Sequence, residues 1–228
     1  MREPGTAPEW VQGDALALVV FDCDGVLVDS EPISQRVSLE MIAEHGVEME
    51  PEEMAARYLG TSDADMAHDI ERRLGIAFPA GFVDEMQARK LVAFRAGVAA
   101  IDGAADAVAA IAGAAPGLCV ASSGPREATR VKLESAGLLE PFDGHLFSAY
   151  DVPRGKPHPD VFLYAAARMG VEPARCAVVE DSLPGVRGAV AAGMRVLGYA
   201  PGGGGAALRD AGAEVFQHMA DVPGLLGL

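Results

Sequence analysis

The stretch Phe21-Asp22-Cys23-Asp24-Gly25-Val26-Leu27-Val28-Asp29-Ser30 decides the fold. Just ahead of it runs Leu16-Ala17-Leu18-Val19-Val20, with the length and β-branched character expected of a strand buried on both faces of a parallel sheet. Asp22 and Asp24 therefore fall where that strand ends. Burying an unpaired charge is costly, so two carboxylates one residue apart at the mouth of a core strand need a strong partner, most simply a divalent cation. Asp-x-Asp-Gly is also a common strand-to-turn junction, and the rest of the chain has to separate the two readings. Cys23, between the two Asp, belongs to the opposite face by strand alternation.

Beyond Ser30 the period changes from strand to helix. Ile33, Val37, Met41 and Ile42 make a helical stripe that ends at Gly46. Further helical segments cover residues 51–58, 62–74 and 82–96, separated by Gly60-Thr61, Gly75 and Pro79-Ala80-Gly81. From Asp102 the chain alternates: helices at 103–112, 125–135, 159–169 and 184–192 precede strands at 118–121, 145–148, 176–179 and 195–199, with a last short strand at 214–216. Such alternation predicts an α/β fold, a doubly wound parallel sheet of Rossmann-like kind. Residues 15–30 and 98–228 form this core, and 31–97 form a small all-helical domain inserted after the first strand. Residues 1–14 read as a loose leader. Gly202 to Gly205 lack the Lys-Ser or Lys-Thr of a phosphate-cradling loop and read as surface.

Composition narrows the function. A net charge of −15 repels nucleic acid and anionic lipid, so neither is an expected partner, and an anionic substrate must be met locally. Neither a signal peptide nor an apolar run of membrane-spanning length is visible, which makes a cytoplasmic protein the expectation, as a monomer or weak homo-oligomer. Cys23, Cys119 and Cys176 are odd in number and lie in or beside apolar runs, as reduced core thiols do. The five His are scattered without metal-binding spacing. Only three of the eighteen basic residues are Lys, one of them Lys156.

In a doubly wound sheet, ligands bind at the carboxyl ends of the strands near a topological switch point. Four polar groups fall at such ends: Asp22/Asp24, Ser122-Ser123, Lys156, and Glu180-Asp181. Singly, each has a plain structural explanation as a turn, cap or solvated residue. Jointly they fit phosphoryl transfer. Asp22, the Asp24 main-chain carbonyl, Glu180 and Asp181 make an oxygen-only site suited to Mg²⁺. The Ser122 hydroxyl and the Lys156 ammonium would hold the phosphate oxygens. Asp22 would be the nucleophile, and Asp24, kept protonated by its charged neighbours, the acid and then the base.

The motifs FDCDGVLVDS, ASSGPR, RGKPHPD and VVEDSLPGVRGAVAAG, in that order, resemble those of the haloacid dehalogenase superfamily. The resemblance is to its phosphatase and phosphomutase branch with a helical cap after the first strand, and spans nearly the whole chain. It implies the same roles for Asp22, Asp24, Ser122, Lys156, Glu180 and Asp181, adds main-chain groups around Ser123 and Gly124, and implies that the cap chooses the leaving group. Cap candidates are Ser34, Gly60, Thr61 and Lys90, with Arg57, Ser62 and Phe94 beside them. The reading is a Mg²⁺-dependent phosphatase of a small sugar, sugar-acid or polyol phosphate, 6-phosphogluconate among them, acting through an aspartyl-phosphate. Its rivals are a β-phosphoglucomutase-like mutase and a non-catalytic phosphate-binding module. Against the mutase, Ser34 and Asp63 stand where it carries a His and a phosphate-gripping Arg, with Lys90 or Arg89 as replacement cations.

Overall fold

β1, Leu18–Phe21, is buried along its whole length because it lies in the middle of a parallel sheet. The computed structural model describes residues 15–58, 61–114 and 116–228, so the leader expected over 1–14 lies outside the described residues. On one side β1 pairs with β4 (Gly117–Ser122), and on the other with β6 (Cys176–Glu180), putting Phe21 level with Val120 and Val179. β5 (Leu146–Ser148), β7 (Arg195–Tyr199) and β8 (Glu214–Phe216) complete the order β5-β4-β1-β6-β7-β8. The chain order reverses at β1, with β4 and β5 on one side of it and β6, β7 and β8 on the other. That is the switch point at which such sheets open a crevice.

Alternation along β1 assigns its side chains to two cores. Val19 and Phe21 join one cluster with Val108 and Ile111 of α5 (Ala104–Gly113) and Leu133 of α6 (Arg126–Ser135). Leu18 and Val20 face the other, with Phe162 and Ala165 of α7 (Asp160–Met169) and Val186 and Ala189 of α8 (Leu183–Ala191). A strand covered on both faces must be apolar at every position, hence the uninterrupted run. Cys23 is buried in the first of these clusters.

Four helices leave the sheet after β1: α1 (Glu31–Glu44), α2 (Pro51–Tyr58), α3 (Asp63–Leu74) and α4 (Phe82–Ala96). They share a separate core that includes Met41, Ile42, Met54, Met66, Ile70 and Met86. Of the stripe on α1, Met41 and Ile42 face this core, while Ile33 packs against the sheet-side cluster. α3 is opened by Ser62, whose hydroxyl accepts the Asp65 N–H at 3.1 Å, and is closed by Gly75 in the left-handed region. Two-residue strands β2 (Val28–Asp29) and β3 (Ala99–Ala100) pair antiparallel and clamp the exit and return of this insertion. Two residues are too short to show a period, so this clamp is not legible as a pattern. α4 also packs on α6, which joins the insertion to the sheet region. The short α9 (Ala206–Asp210) and α10 (Val222–Leu226) finish the chain. No helix among the described residues is long and apolar enough to cross a membrane.

Candidate active site

Asp22 is the first residue beyond β1, its N–H still bonded to the Val179 carbonyl at 2.9 Å, so its carboxylate is set at the carboxyl edge of the sheet. The chain then turns sharply. The N–H groups of Leu27 and Val28 both donate to the Cys23 carbonyl, at 2.9 and 3.1 Å. Gly25 makes this turn at φ +80°, and a Cβ there would lie 2.0 Å from Asp181 Oδ2. Glycine is thus required twice, by the backbone and by the neighbouring carboxylate. Ser30 stands at the start of α1, but its hydroxyl donates to Asp24 Oδ1 instead of capping the helix.

Glu180, the last residue of β6, is fully buried. Its Oε2 accepts from the Ser182 N–H and hydroxyl at 2.7 and 2.9 Å, and Ser182 in turn caps α8 by accepting the Gly185 N–H at 3.1 Å. Capping therefore falls to Ser182, which leaves the neighbouring carboxylates for other work. At Gly185 a Cβ would meet Glu180 Oε1 at 1.6 Å, so the helix start is cut back to admit the carboxylate.

The Lys156 ammonium lies 2.5 Å from Asp22 Oδ1 and 2.7 Å from Glu180 Oε1, above the Phe162 ring. Burial alone lowers an ammonium pKa, but Asp22 and Glu180 raise that of Lys156 above its ordinary range. Ser122, at the end of β4, is fully buried, and its Oγ accepts the Gly124 N–H at 3.0 Å. Ser148 ties the same loop by donating to the Gly124 carbonyl at 2.7 Å. Ser123 beside it is exposed.

Among the described residues, carboxylate oxygens of Asp22, Glu180 and Asp181 lie within 4.8 Å of one another. Burial raises the Asp22 carboxyl, with Lys156 opposing and Glu180 and Asp24 adding to the rise; burial, then Asp22 and Glu180, raise Asp181. Three clustered carboxylates with only oxygen donors, in a space kept open by Gly25 and Gly185, fit a hard divalent cation such as Mg²⁺. Asp24 contributes no carboxylate to that cluster. A contribution of Asp24 to the cation would come through its main-chain carbonyl.

The acid role expected of Asp24 depends on its proton, and Lys132 Nζ lies 2.5 and 2.6 Å from its two carboxylate oxygens. Burial raises the Asp24 carboxyl, yet the Lys132 charge and the bonds from Lys132 and Ser30 outweigh it and hold it below the usual carboxylate range. Lys132 is a site residue that the motifs do not mark. The signal for it was the lysine count: Lys90, Lys132 and Lys156 are the only three, and every one is in a short ion pair with a buried or half-buried carboxylate.

The cap candidates divide. Lys90 Nζ is 2.5 Å from Asp63 Oδ1, both groups largely buried. Ser34 is half-buried in the first turn of α1, its N–H on the Ser30 carbonyl at 3.0 Å. Thr61 is exposed, and Gly60 lies outside the described residues. Arg89 is half-buried and bonds Glu44 and Glu85, away from the Asp22 cluster, and Arg57 bonds Glu53 on the surface. Phe94 packs in the sheet-side core with its ring 5.4 Å from Lys132 Nζ.

A family model described as haloacid dehalogenase-like hydrolase matches residues 16–193. The chain belongs to that family. The 6-phosphogluconate phosphatase of Escherichia coli (strain K12) is 31% identical over 208 residues, covering 91% of this chain and 93% of its own. Hexitol phosphatase B of the same strain is 33% identical, over 78% of this chain and 81% of its own. A conserved haloacid dehalogenase-like protein of unknown function from Agrobacterium tumefaciens str. C58 superposes with a TM-score of 0.78 at 35% identity, over 93% of this chain and 98% of that one. Within the family this chain is an enzyme of the phosphatase kind, a phosphoric monoester hydrolase.

Proposed function

We propose that this hydrolase is a Mg²⁺-dependent phosphatase of small sugar, sugar-acid or polyol phosphates that works through an aspartyl-phosphate on Asp22. The observation that carries the reading is the surround of Asp22. Its carboxylate stands at the switch point between Lys156 and the Glu180/Asp181 pair, so negative charge arriving there meets both an ammonium and a cation site. The substrate range follows the activities of relatives near 30% identity: 6-phosphogluconate, hexitol and fructose 1-phosphate phosphatases.

When bound by Asp22, Glu180 and Asp181, Mg²⁺ would offset the charge of the carboxylate and the phosphoryl oxygens as they approach. Lys156 and the Ser122–Gly124 loop orient the phosphoryl group. Asp22 attacks phosphorus as the bond to the leaving oxygen breaks. That oxygen takes a proton from the Asp24–Lys132 pair, whose Nζ lies 2.5 and 2.6 Å from the two carboxylate oxygens. In the second half-reaction Asp24 accepts a proton from the water that attacks phosphorus, Asp22 is released, and the pair is restored.

The test is phosphate release from a panel of sugar, sugar-acid and polyol phosphates with Mg²⁺, beside EDTA and Asp22→Asn controls. Metal-dependent release that Asp22→Asn abolishes while the protein stays folded is expected. Release that survives Asp22→Asn would overturn the covalent route. Conversion of β-glucose 1-phosphate to glucose 6-phosphate with glucose 1,6-bisphosphate, without release, would mark a mutase instead.

A further inference from the structure

We propose that the leaving-group side of this site selects an uncharged polyhydroxyl group over one that carries a carboxylate. The inference rests on the phosphatase reading above and narrows its substrate class. It starts from the lysines. Lys156 serves the phosphate side, between Asp22 and Glu180, while Lys132 pairs with Asp24 and Lys90 with Asp63.

α4 carries Lys90 and Phe94 one turn apart, hence on one face of the helix. The Phe94 ring lies 5.4 Å from the Lys132 ammonium. Lys132 thus meets α4 at Phe94, and one turn back along α4 Lys90 reaches to Asp63 at the start of α3. Each is already matched: Lys132 by the two oxygens of Asp24, at 2.5 and 2.6 Å, and Lys90 by Asp63, at 2.5 Å. A third carboxylate, Glu31, opens α1 directly after Ser30 and is half-buried. Burial and the charge of Asp24 raise its carboxyl while Lys90 lowers it, which puts Glu31 in electrostatic reach of both pairs.

Two ammonium groups and three carboxylates make the surround of Glu31 formally net negative, with each lysine already paired. A leaving group bearing a carboxylate would have to strip Asp24 or Asp63 from its lysine and then face Glu31. Hydroxyl groups face no such conflict, because each can donate to a carboxylate and accept from an ammonium. The overall charge of −15 works in the same direction, against the more anionic ester.

The probes are glucitol 6-phosphate and 6-phosphogluconate, identical from C2 to C6 and different at C1, where one has a CH₂OH and the other a carboxylate. With the full chain and Mg²⁺, kcat/KM is expected to favour glucitol 6-phosphate by about tenfold or more, the scale of one uncompensated charge contact. Asp63→Asn frees Lys90 and should narrow that ratio at least about threefold, chiefly through a lower KM for 6-phosphogluconate. Glu31→Gln should narrow it likewise, and serves if Asp63→Asn does not fold. A ratio at or below one in the natural protein overturns the inference, as does a ratio that neither variant moves. p-Nitrophenyl phosphate separates the two levels. If it is hydrolysed and neither six-carbon ester is, the substrate inference falls and the phosphatase reading stands; if nothing is hydrolysed, that reading falls first.

Discussion

Lys132 Nζ sits astride the two carboxylate oxygens of Asp24, at 2.5 and 2.6 Å, although the residues are 108 positions apart in the chain. The lysine side chain is 5% exposed and the aspartate 35%, so the pair is dry on the α6 side and open toward the cleft. Removing one partner of a buried ion pair costs about 3–5 kcal/mol, and solvent at Asp24 reduces this toward roughly 2 kcal/mol. Lys132→Met should lose that much in urea unfolding and more than about tenfold in kcat. In the double variant Lys132→Met/Asp24→Asn, most of the stability should return while activity stays low. Equal stability losses in the single and double variants would show that the two groups do not act as a pair.

Without metal, the carboxylate cluster should make stability depend on pH in an unusual sense. Burial pushes Asp22 up to about 7 and Asp181 up to about 8, from 3.8. A carboxyl raised on folding contributes stability that is present below its unfolded pKa and is lost as pH rises through its folded one. In EDTA, Tm should therefore fall between about pH 5 and 8, where the unfolded chain has already released these protons. Mg²⁺ binds the ionised carboxylates, so its stabilising effect should grow over the same window, reaching about 2.7 kcal/mol at a hundredfold excess over Kd. Asp181→Asn should flatten both trends. A Tm in EDTA that rises from pH 5 to 8 would show that these buried carboxyls are not raised on folding.

The glycines at the cluster give a steric test. A Cβ on Gly185 would lie 1.6 Å from Glu180 Oε1 and 2.5 Å from Oε2. Elsewhere in a helix Gly→Ala stabilises by roughly 1 kcal/mol. Gly185→Ala should instead drive Glu180 from its bonds to Lys156 and Ser182, lowering Tm and weakening Mg²⁺ binding by at least about tenfold. Gly113→Ala in α5, where a Cβ meets nothing within 4 Å, should be neutral or stabilising and keep full activity. If Gly185→Ala matched it, the space at α8 would not be what admits the carboxylate.

Much of this protein was legible in its sequence because the relevant information is local. The apolar runs at β1, β4 and β6 show where strands end, and chemistry in a doubly wound sheet gathers at those ends. Asp22, Ser122 and Glu180 are therefore placed by counting along the chain, and the pairing of β1 with both neighbours at Phe21 brings Asp22 and Glu180 together. The helices of the insertion show the same way, from their period and their glycine stops.

What only the tertiary structure decided is which charges meet across elements. The docking of α4 on α6 seats Phe94 beside Lys132, whose ammonium pairs with Asp24 and, with Ser30, holds its carboxyl below the usual range against the effect of burial. The same helix turns Lys90 inward to Asp63 and Arg89 outward to Glu44 and Glu85, a difference of one residue, or about 100° around the axis. Composition shows that lysines are scarce. Only the packing of helices distant in sequence shows that all three end in short ion pairs, two of them with Asp22 and Asp24, because an ion pair is fixed by where two backbones come to lie and not by either residue's neighbours along the chain.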